Sequence, residues 1–228
     1  GYSRIDILRG GLDAWRRAGL PLAGKSPDLQ PDPQTHVTLA DGAYSVDLKG
    51  SRIEWMGRNP NTRHTGSVDL SAGDITIQNG NITGCFVIDM TAIRNFSLED
   101  DELQPLLLSH LASDDFFFVE RYPKANFTLT RGRPAANATP TSPNYEMAGT
   151  LEMRGVTAEQ TFLATIAHGE NGALLAEAHF DLDRTRWKVI YGSARFFEHL
   201  GMHLVFDLIT LELRIKAIPR AESPAGDA

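Results

Sequence analysis

The sequence predicts a mainly β chain whose main body is an antiparallel barrel or sandwich, and three observations carry this. From about Asp41 to Ala217, short runs alternate apolar and polar residues with a period of two. Gly, Asn, Asp and Pro punctuate the runs at short intervals, and only two stretches in this zone have a helical pattern. In chain order the runs are YSVDL (44–48), SRIEW (51–55), GSVDL (66–70), DITI (74–77), ITGCFVIDM (82–90), NFTLT (126–130), YEMAGTLEM (145–153), TFLATIA (161–167), LAEAHFDLD (175–183) and ITLELRIKA (209–217). QNGN at 78–81 and HGENGA at 168–173 have the composition of hairpin turns. QPLLLSHLA, 104–112, is expected to be a helix. Pro105 suits its first turn, Asp100, Asp101 and Glu102 precede its positive end, and Leu107 and Leu111 share a face. ARFFEHL, 194–200, is a candidate second helix.

The ends of the chain differ from this body. Residues 1–24 combine a strand-like RIDIL, a Gly-Gly turn and a helical LDAWRRAG closed by Gly19 and Pro21. Residues 25–40 carry three prolines and few apolar residues, which suits a linker. Residues 219–228 have the composition of a disordered tail. The whole chain of 228 residues is 42% hydrophobic with a net charge of -7, enough for a sizeable core without staples. An acidic chain without a basic block gives no footprint for nucleic acid or an anionic membrane. The single Cys85 excludes an intramolecular disulfide and a multi-cysteine zinc site. It suits the cytoplasm without excluding the periplasm. No run is long and apolar enough for stable membrane insertion.

Alternation assigns faces. Ile53 and Trp55, Gly66, Val68 and Leu70, and Gly84, Phe86, Ile88 and Met90 form rows, as do Ala125, Phe127 and Leu129. Further along, Tyr145 to Met153, Phe162 to Ile166, Ala176 to Leu182 and Ile209 to Ile215 supply rows in the same way. Glycines and alanines on these faces either leave ligand volume in a closed barrel or mark places where the wall bends. The aromatic residues would singly be core; on the inner faces of a closed sheet they would line a cavity.

The stretch HLASDDFFFVERYPKANFTLT (110–130) resembles the signature of the YceI-like family, in which His-Leu, Phe-Phe and Tyr-Pro-x-Ala-x-Phe recur. GTLEMRGVT (149–157), FDLDRTRWKVIYGSARFFEHLG (180–201), FDLITLELRIKA (206–217) and IEWMGRNPNTRHTGSVDL (53–70) extend the resemblance over roughly 43–217. It implies a closed eight-stranded antiparallel lipocalin-like barrel with a short capping helix, from a bacterium, holding a polyisoprenoid or other long-chain amphiphile. No cofactor and no catalytic residue is implied. Cys85 stands where the family pattern leads one to expect a second glycine after Gly84; the simplest place for it is the outer face of its strand. IDILRGGLDAWRRAGLPL is similar to the last strand and helix of a rhodanese domain. The thiolate loop of that fold has no counterpart upstream, so no sulfurtransferase activity is expected. Ile5, Ile7, Leu8, Leu12 and Trp15 would then dock on the barrel or pair with a second chain as a homodimer.

The expected ligand-lining residues are Trp55, His64, Val68, Phe86, Ile88, Met90, Phe117, Phe127, Leu129, Met147, Leu151, Phe162, Phe180, Trp187 and Tyr191. Among these Trp55, His64 and Tyr191, with Arg58 and Arg63, are the head-group neighbours at the mouth. Of the three consecutive phenylalanines Phe116–Phe118, one or two are expected to plug the barrel and one to line the cavity. A chain sheltered over about ten carbons gains roughly 0.8 kcal/mol per CH₂. His199 and His203 have i, i+4 spacing, but Gly201 between them and the lack of a zincin glutamate argue against a metal site. Asp181 and Asp183 share a strand face and are expected to pair with Arg184 or Arg186. Two other classes of function stay open: an enzyme acting on a sequestered lipid with His64 or His110 as base, and an adaptor serving a rhodanese partner.

Overall fold

A computed structural model describes residues 11–21, 37–136, 138–139 and 142–220. It falls into two units, 1–33 and 34–228. In the first, LDAWRRAG forms the expected helix, α1 (Gly11–Arg17), and the Trp15 indole N–H donates to the Pro21 carbonyl at 2.9 Å. The expected strand RIDIL, with Ile5, Ile7 and Leu8, lies outside the described residues, as do residues 25–36 of the linker and residues 221–228.

The second unit is an antiparallel barrel of β1 (Gly42–Val46), β2 (Arg52–Arg58), β3 (Arg63–Gln78), β4 (Asn81–Asn95), β5 (Lys124–Pro134), β6 (Tyr145–Met153), β7 (Val156–His168), β8 (Leu174–Asp183) and β9 (Leu208–Pro219). GSVDL and DITI, read separately in the sequence, are halves of the single long β3. The strands follow one another around the ring from β3 to β9, and β2 closes it by pairing with both β3 and β9. β1 also pairs with β3 and β9, beyond the end of β2. Nine strands therefore fill eight positions, because β1 and β2 are one position interrupted by a turn. That turn is held by the Gly50 N–H donating to Asp47 Oδ1 at 3.0 Å, and Ser51 Oγ bonds the backbone of Lys216.

Local sequence explains the connections. Asn79 and Gly80 both adopt positive φ, 51° and 73°, the left-handed pair that a tight two-residue hairpin needs. Arg154 and Gly155 do the same between β6 and β7, at 53° and 70°. α2 (Gln104–Ala112) has the expected bounds, with Pro105 in its first turn. ARFFEHL does not form a helix: Ser193 to Glu198 is a series of turns, His199 adopts φ 56°, and only Gly201–His203 makes a short 3₁₀ turn. A left-handed residue and the glycine two positions later break any helical run there. Pro219 and Arg220 are ordered parts of the sheet edge, with Arg220 N–H donating to the Ala43 carbonyl at 2.8 Å. Among the described residues, no helix is long and apolar enough to cross a membrane.

The interior holds two packed clusters. One gathers Leu39, Tyr44, Ile77, Ile82, Leu129, Tyr145, Ile166, Leu174 and Ala217 with their neighbours. The other gathers Met90, Leu111, Phe116, Val119, Leu151, Met153, Leu182, Trp187 and Val189 beneath α2. Val68, Ile88, Phe127 and Phe180 are half-buried and pack against both.

Candidate ligand-binding cavity

Between the clusters lies a cavity of about 140 Å³. Its lining is apolar apart from Gln160 and Glu177. Inward rows from nearly every strand supply it: Ile53 from β2, Leu70 and Ile75 from β3, Phe86 and Ile88 from β4, Phe127 and Leu129 from β5, Met147 and Leu151 from β6. β7 adds Phe162, Ala164 and Ile166, β8 adds Leu174, Ala176, Ala178, Phe180 and Leu182, and β9 adds Leu211, Leu213 and Ile215.

Four rings form a row across this space. Phe86 and Phe127 have centroids 6.2 Å apart, Phe127 and Phe162 5.9 Å, and Phe162 stacks on Phe180 at 4.4 Å with planes 10° apart. The row spans β4, β5, β7 and β8, so the Phe127 ring must pass over β6. Gly149 permits it: a Cβ there would sit 2.8 Å from Phe127 Cζ. Gly66 is likewise occupied by a neighbour, since a Cβ there would lie 2.5 Å from the Trp55 ring. Both glycines admit a packed ring and leave no empty volume. The alanines Ala164, Ala176 and Ala178 are the small residues that border the cavity.

The fifteen residues expected to line the ligand divide into three groups. Phe86, Ile88, Phe127, Leu129, Met147, Leu151, Phe162 and Phe180 come together around the cavity. Trp55, Met90, Phe117, Trp187 and Tyr191 belong instead to the cluster under α2, and Val68 packs against both clusters outside the cavity lining. His64 is in neither, with Nδ1 3.2 Å from Ser97 Oγ. Trp187 is fully buried and donates its indole N–H to the Leu151 carbonyl at 2.8 Å, so it is a plug. Trp55 donates to the Ser67 carbonyl at 3.3 Å, and Tyr191 stands against the rings of His110 and Phe116. The phenylalanine triplet also falls on the plug. Phe116 is buried and Phe117 packs beside it, whereas Phe118 adopts φ 49° and turns its ring onto Tyr122. None of the three borders the cavity. Gln160 went unmarked in the sequence, although the inward row continued back from Phe162 reaches it.

The plug is fastened by polar groups. Arg184 is fully buried, and its guanidinium donates to the carbonyls of Val189, Val205 and Phe206 at 2.6, 3.0 and 3.1 Å. Burial pushes its pKa down, while Asp207, 3.7 Å away, and Asp183 oppose that. Burial also tends to raise the Asp183 carboxyl, but hydrogen bonds from Thr185 and Arg195 outweigh this and hold it below the ordinary carboxylate value. The expected pairing of Asp181 and Asp183 with Arg184 or Arg186 is corrected here. Asp183 pairs with Arg195 at 2.9 Å, Asp181 with Arg58 at 3.7 Å, and Arg184 with Asp207. Arg195 and Arg58 come from distant segments brought in by the closing loop and β2, which spacing along the chain does not reveal. His110 Nε2 lies 3.3 Å from Asp115 Oδ2, and His203 Nδ1 lies 3.2 Å from the Tyr191 hydroxyl. Among the described residues, no group of three His, Cys, Asp or Glu side chains is placed to hold a metal ion. Cys85 is exposed on its strand.

The model of the YceI-like domain matches residues 44–217. The chain belongs to the YceI-like family. No curated protein matches it in sequence. Among solved structures, the domain is similar to BcnA of Burkholderia cenocepacia, with a TM-score of 0.59 and 18% identity over 75% of this chain and 98% of that one. It is also similar to a polyisoprenoid binding domain from Saccharophagus degradans implicated in plant cell wall breakdown, with a TM-score of 0.55 and 12% identity over 78% of this chain and 98% of that one. At these identities the likeness shows the YceI-like fold, the closed eight-stranded antiparallel barrel with few helices.

Proposed function

We propose that this YceI-like domain binds a long-chain apolar molecule, a polyisoprenoid or fatty-acyl lipid, and does no chemistry on it. The observation that carries the reading is the barrel cavity, lined mainly by apolar residues from β2 to β9 and crossed by the row Phe86, Phe127, Phe162 and Phe180. Membership of the family supports it, as does the similar domain described as polyisoprenoid-binding. A site of this kind gains affinity from burial alone, at about 25 cal/mol per Å² of apolar surface. The histidines weighed as general bases, His64 and His110, do not border the cavity and face Ser97 and Asp115. That leaves the enzymatic reading without either histidine base beside a bound chain.

The test has two arms. Mass spectrometry of an organic extract from protein purified from its native host is expected to show a stoichiometric isoprenoid or acyl species. Ala178→Phe, which fills the cavity from β8, is expected to abolish binding while the barrel stays folded. A folded wild-type protein that takes up no isoprenoid or fatty acid would sink the proposal.

The N-terminal segment supports a second, narrower reading: residues 1–24 are the end of a rhodanese-like unit and pair with a second chain. Its basis is the resemblance together with the helix α1 where that resemblance puts one. Solution mass measured with and without residues 1–24 tests it, and a monomer in both cases rejects it.

A further inference from the structure

The barrel wall is not hydrogen-bonded all the way round. β7 and β8 pair from His168↔Leu174 to Ala164↔Ala178, and there the ladder stops. Both strands continue, β7 back to Val156 and β8 on to Asp183. Over that stretch each keeps its other partner: β7 pairs with β6 down to Met153↔Val156, and β8 pairs with β9 down to Asp183↔Leu208. The strands are therefore regular and the gap is between them, a slot with a strand edge on either side.

Continuing the register past the last pair sets Phe162 opposite Phe180. These are the two stacked rings, and both border the cavity. At the level of the cavity the slot is closed by two side chains and not by a backbone ladder, so separating the rings breaks no strand hydrogen bond. Further along, the slot is bridged by Arg186, which follows β8. Its guanidinium donates to the Glu159 carbonyl and reaches Gln160 Oε1 at 3.4 Å. Gln160 is the polar lining residue on the inward row of β7.

Size makes the slot matter. An apolar cavity of about 150 Å³ takes up a molecule of benzene's size. The 140 Å³ here holds a comparable piece of a chain, so a long chain enters only if the wall yields. The ends do not offer this. One is filled by Phe116, Trp187 and Leu111, each at most 9% exposed, and the other by Leu39 and Tyr145, at 8% and 2%.

We propose that the slot between β7 and β8, gated by the Phe162–Phe180 stack and latched by Arg186, is the lateral portal for a long isoprenoid or acyl chain. The chain passes between the parted rings, and the slot holds the length that the resting cavity does not. This rests on the lipid-binding reading above.

The experiment is a staple across the slot. Leu163 and His179 are the next facing positions in the continued register and are exposed. In a Cys85→Ser background, Leu163→Cys with His179→Cys is oxidised, and binding and release of retinol, an intrinsically fluorescent isoprenoid alcohol, are followed by stopped flow. Both rates are expected to fall at least tenfold and to recover on reduction. A matching staple of Thr128→Cys with Thr150→Cys, across the continuous β5–β6 ladder, is expected to change neither. Arg186→Gln, which needs no cross-link, is expected to raise both rates several-fold. Equal rates in the oxidised and reduced slot staple, or unchanged rates in Arg186→Gln, overturn the portal and leave lipid binding standing. If wild-type protein binds no retinol, the lipid-binding reading falls and the portal with it.

Discussion

The two ends of the barrel are closed in different ways. The end beneath α2 is fastened by directed bonds: Arg184 to three backbone carbonyls, Trp187 to the Leu151 carbonyl, and Arg154 to the carbonyls of Lys188 and Asp114. The other end is closed mainly by apolar burial, with Leu39 and Val37 laid across Tyr44, Ile77, Tyr145 and Ile166. Irregular loops make the difference. Residues 113–123 and 184–207 have few strand partners for their backbone groups, so a buried arginine and an indole satisfy them. The strand-built end has its ladders already. Beyond buried Asn144, which donates to the Ile166 carbonyl at 2.9 Å and accepts from the Ile166 N–H at 2.7 Å, and the Tyr145 hydroxyl, it needs mostly side chains that exclude water. One end is thus specified chiefly by a buried charge and an indole holding loops, and the other chiefly by apolar side chains.

Arg184→Met is the strongest way to break this contrast. It keeps the volume but strands the Val189, Val205 and Phe206 carbonyls and takes from Asp207 the buried one of its two cations, Arg195 remaining at 3.0 Å, at a cost of about 3–5 kcal/mol in urea denaturation. Trp187→Phe is the next largest. It retains an aromatic ring and orphans only the Leu151 carbonyl, so about 1–3 kcal/mol is expected. At the other end, Tyr145→Phe removes the hydroxyl that donates to the Val37 carbonyl at 3.0 Å. That loss is expected to be about 0.5–1.5 kcal/mol, because Val37 lies near the chain's entry to the barrel and its carbonyl can turn to water. If Tyr145→Phe cost as much as Arg184→Met, the two ends would not differ in kind.

The same contrast explains what the sequence revealed. Strands written in period two were legible, and so were the hairpin at Asn79-Gly80 and the helix at 104–112, because each is set by local residues. Eight cavity residues followed from counting alternate positions along those strands. The plug did not follow. Trp187, Tyr191 and Phe117 look like lining when judged by residue type. Which side of a loop they face depends on Arg184 gathering Val189, Val205 and Phe206, a contact across many residues. The split between β7 and β8 was also hidden, since TFLATIA and LAEAHFDLD alternate as regularly as paired strands do. A ladder's end is a property of two strands, and the pattern of each one reports only its own faces.

The smallest expected effect concerns pH at the fastened end. Asp183 accepts from Thr185 and pairs with Arg195, whose side chain is 55% exposed, so the pair is worth only roughly 0.2–1 kcal/mol. The folded-state pKa of Asp183 lies below its unfolded value of about 3.9. The unfolded chain therefore binds this proton first as pH falls. The stabilisation is fully present above the unfolded value and is lost as pH falls through the lower folded value. Thermal melts from pH 6 downward should show wild type converging on Asp183→Asn below the usual carboxylate range, with a constant gap above it. Asp69 adds a similar contribution, since its hydrogen bond from Arg94 also lowers its pKa, but that pair lies between β3 and β4. The double variant with Asp69→Asn separates the two. A gap between wild type and Asp183→Asn that persists unchanged at the acid limit would mean that Asp183 acts through its bond to Thr185 and not through its charge.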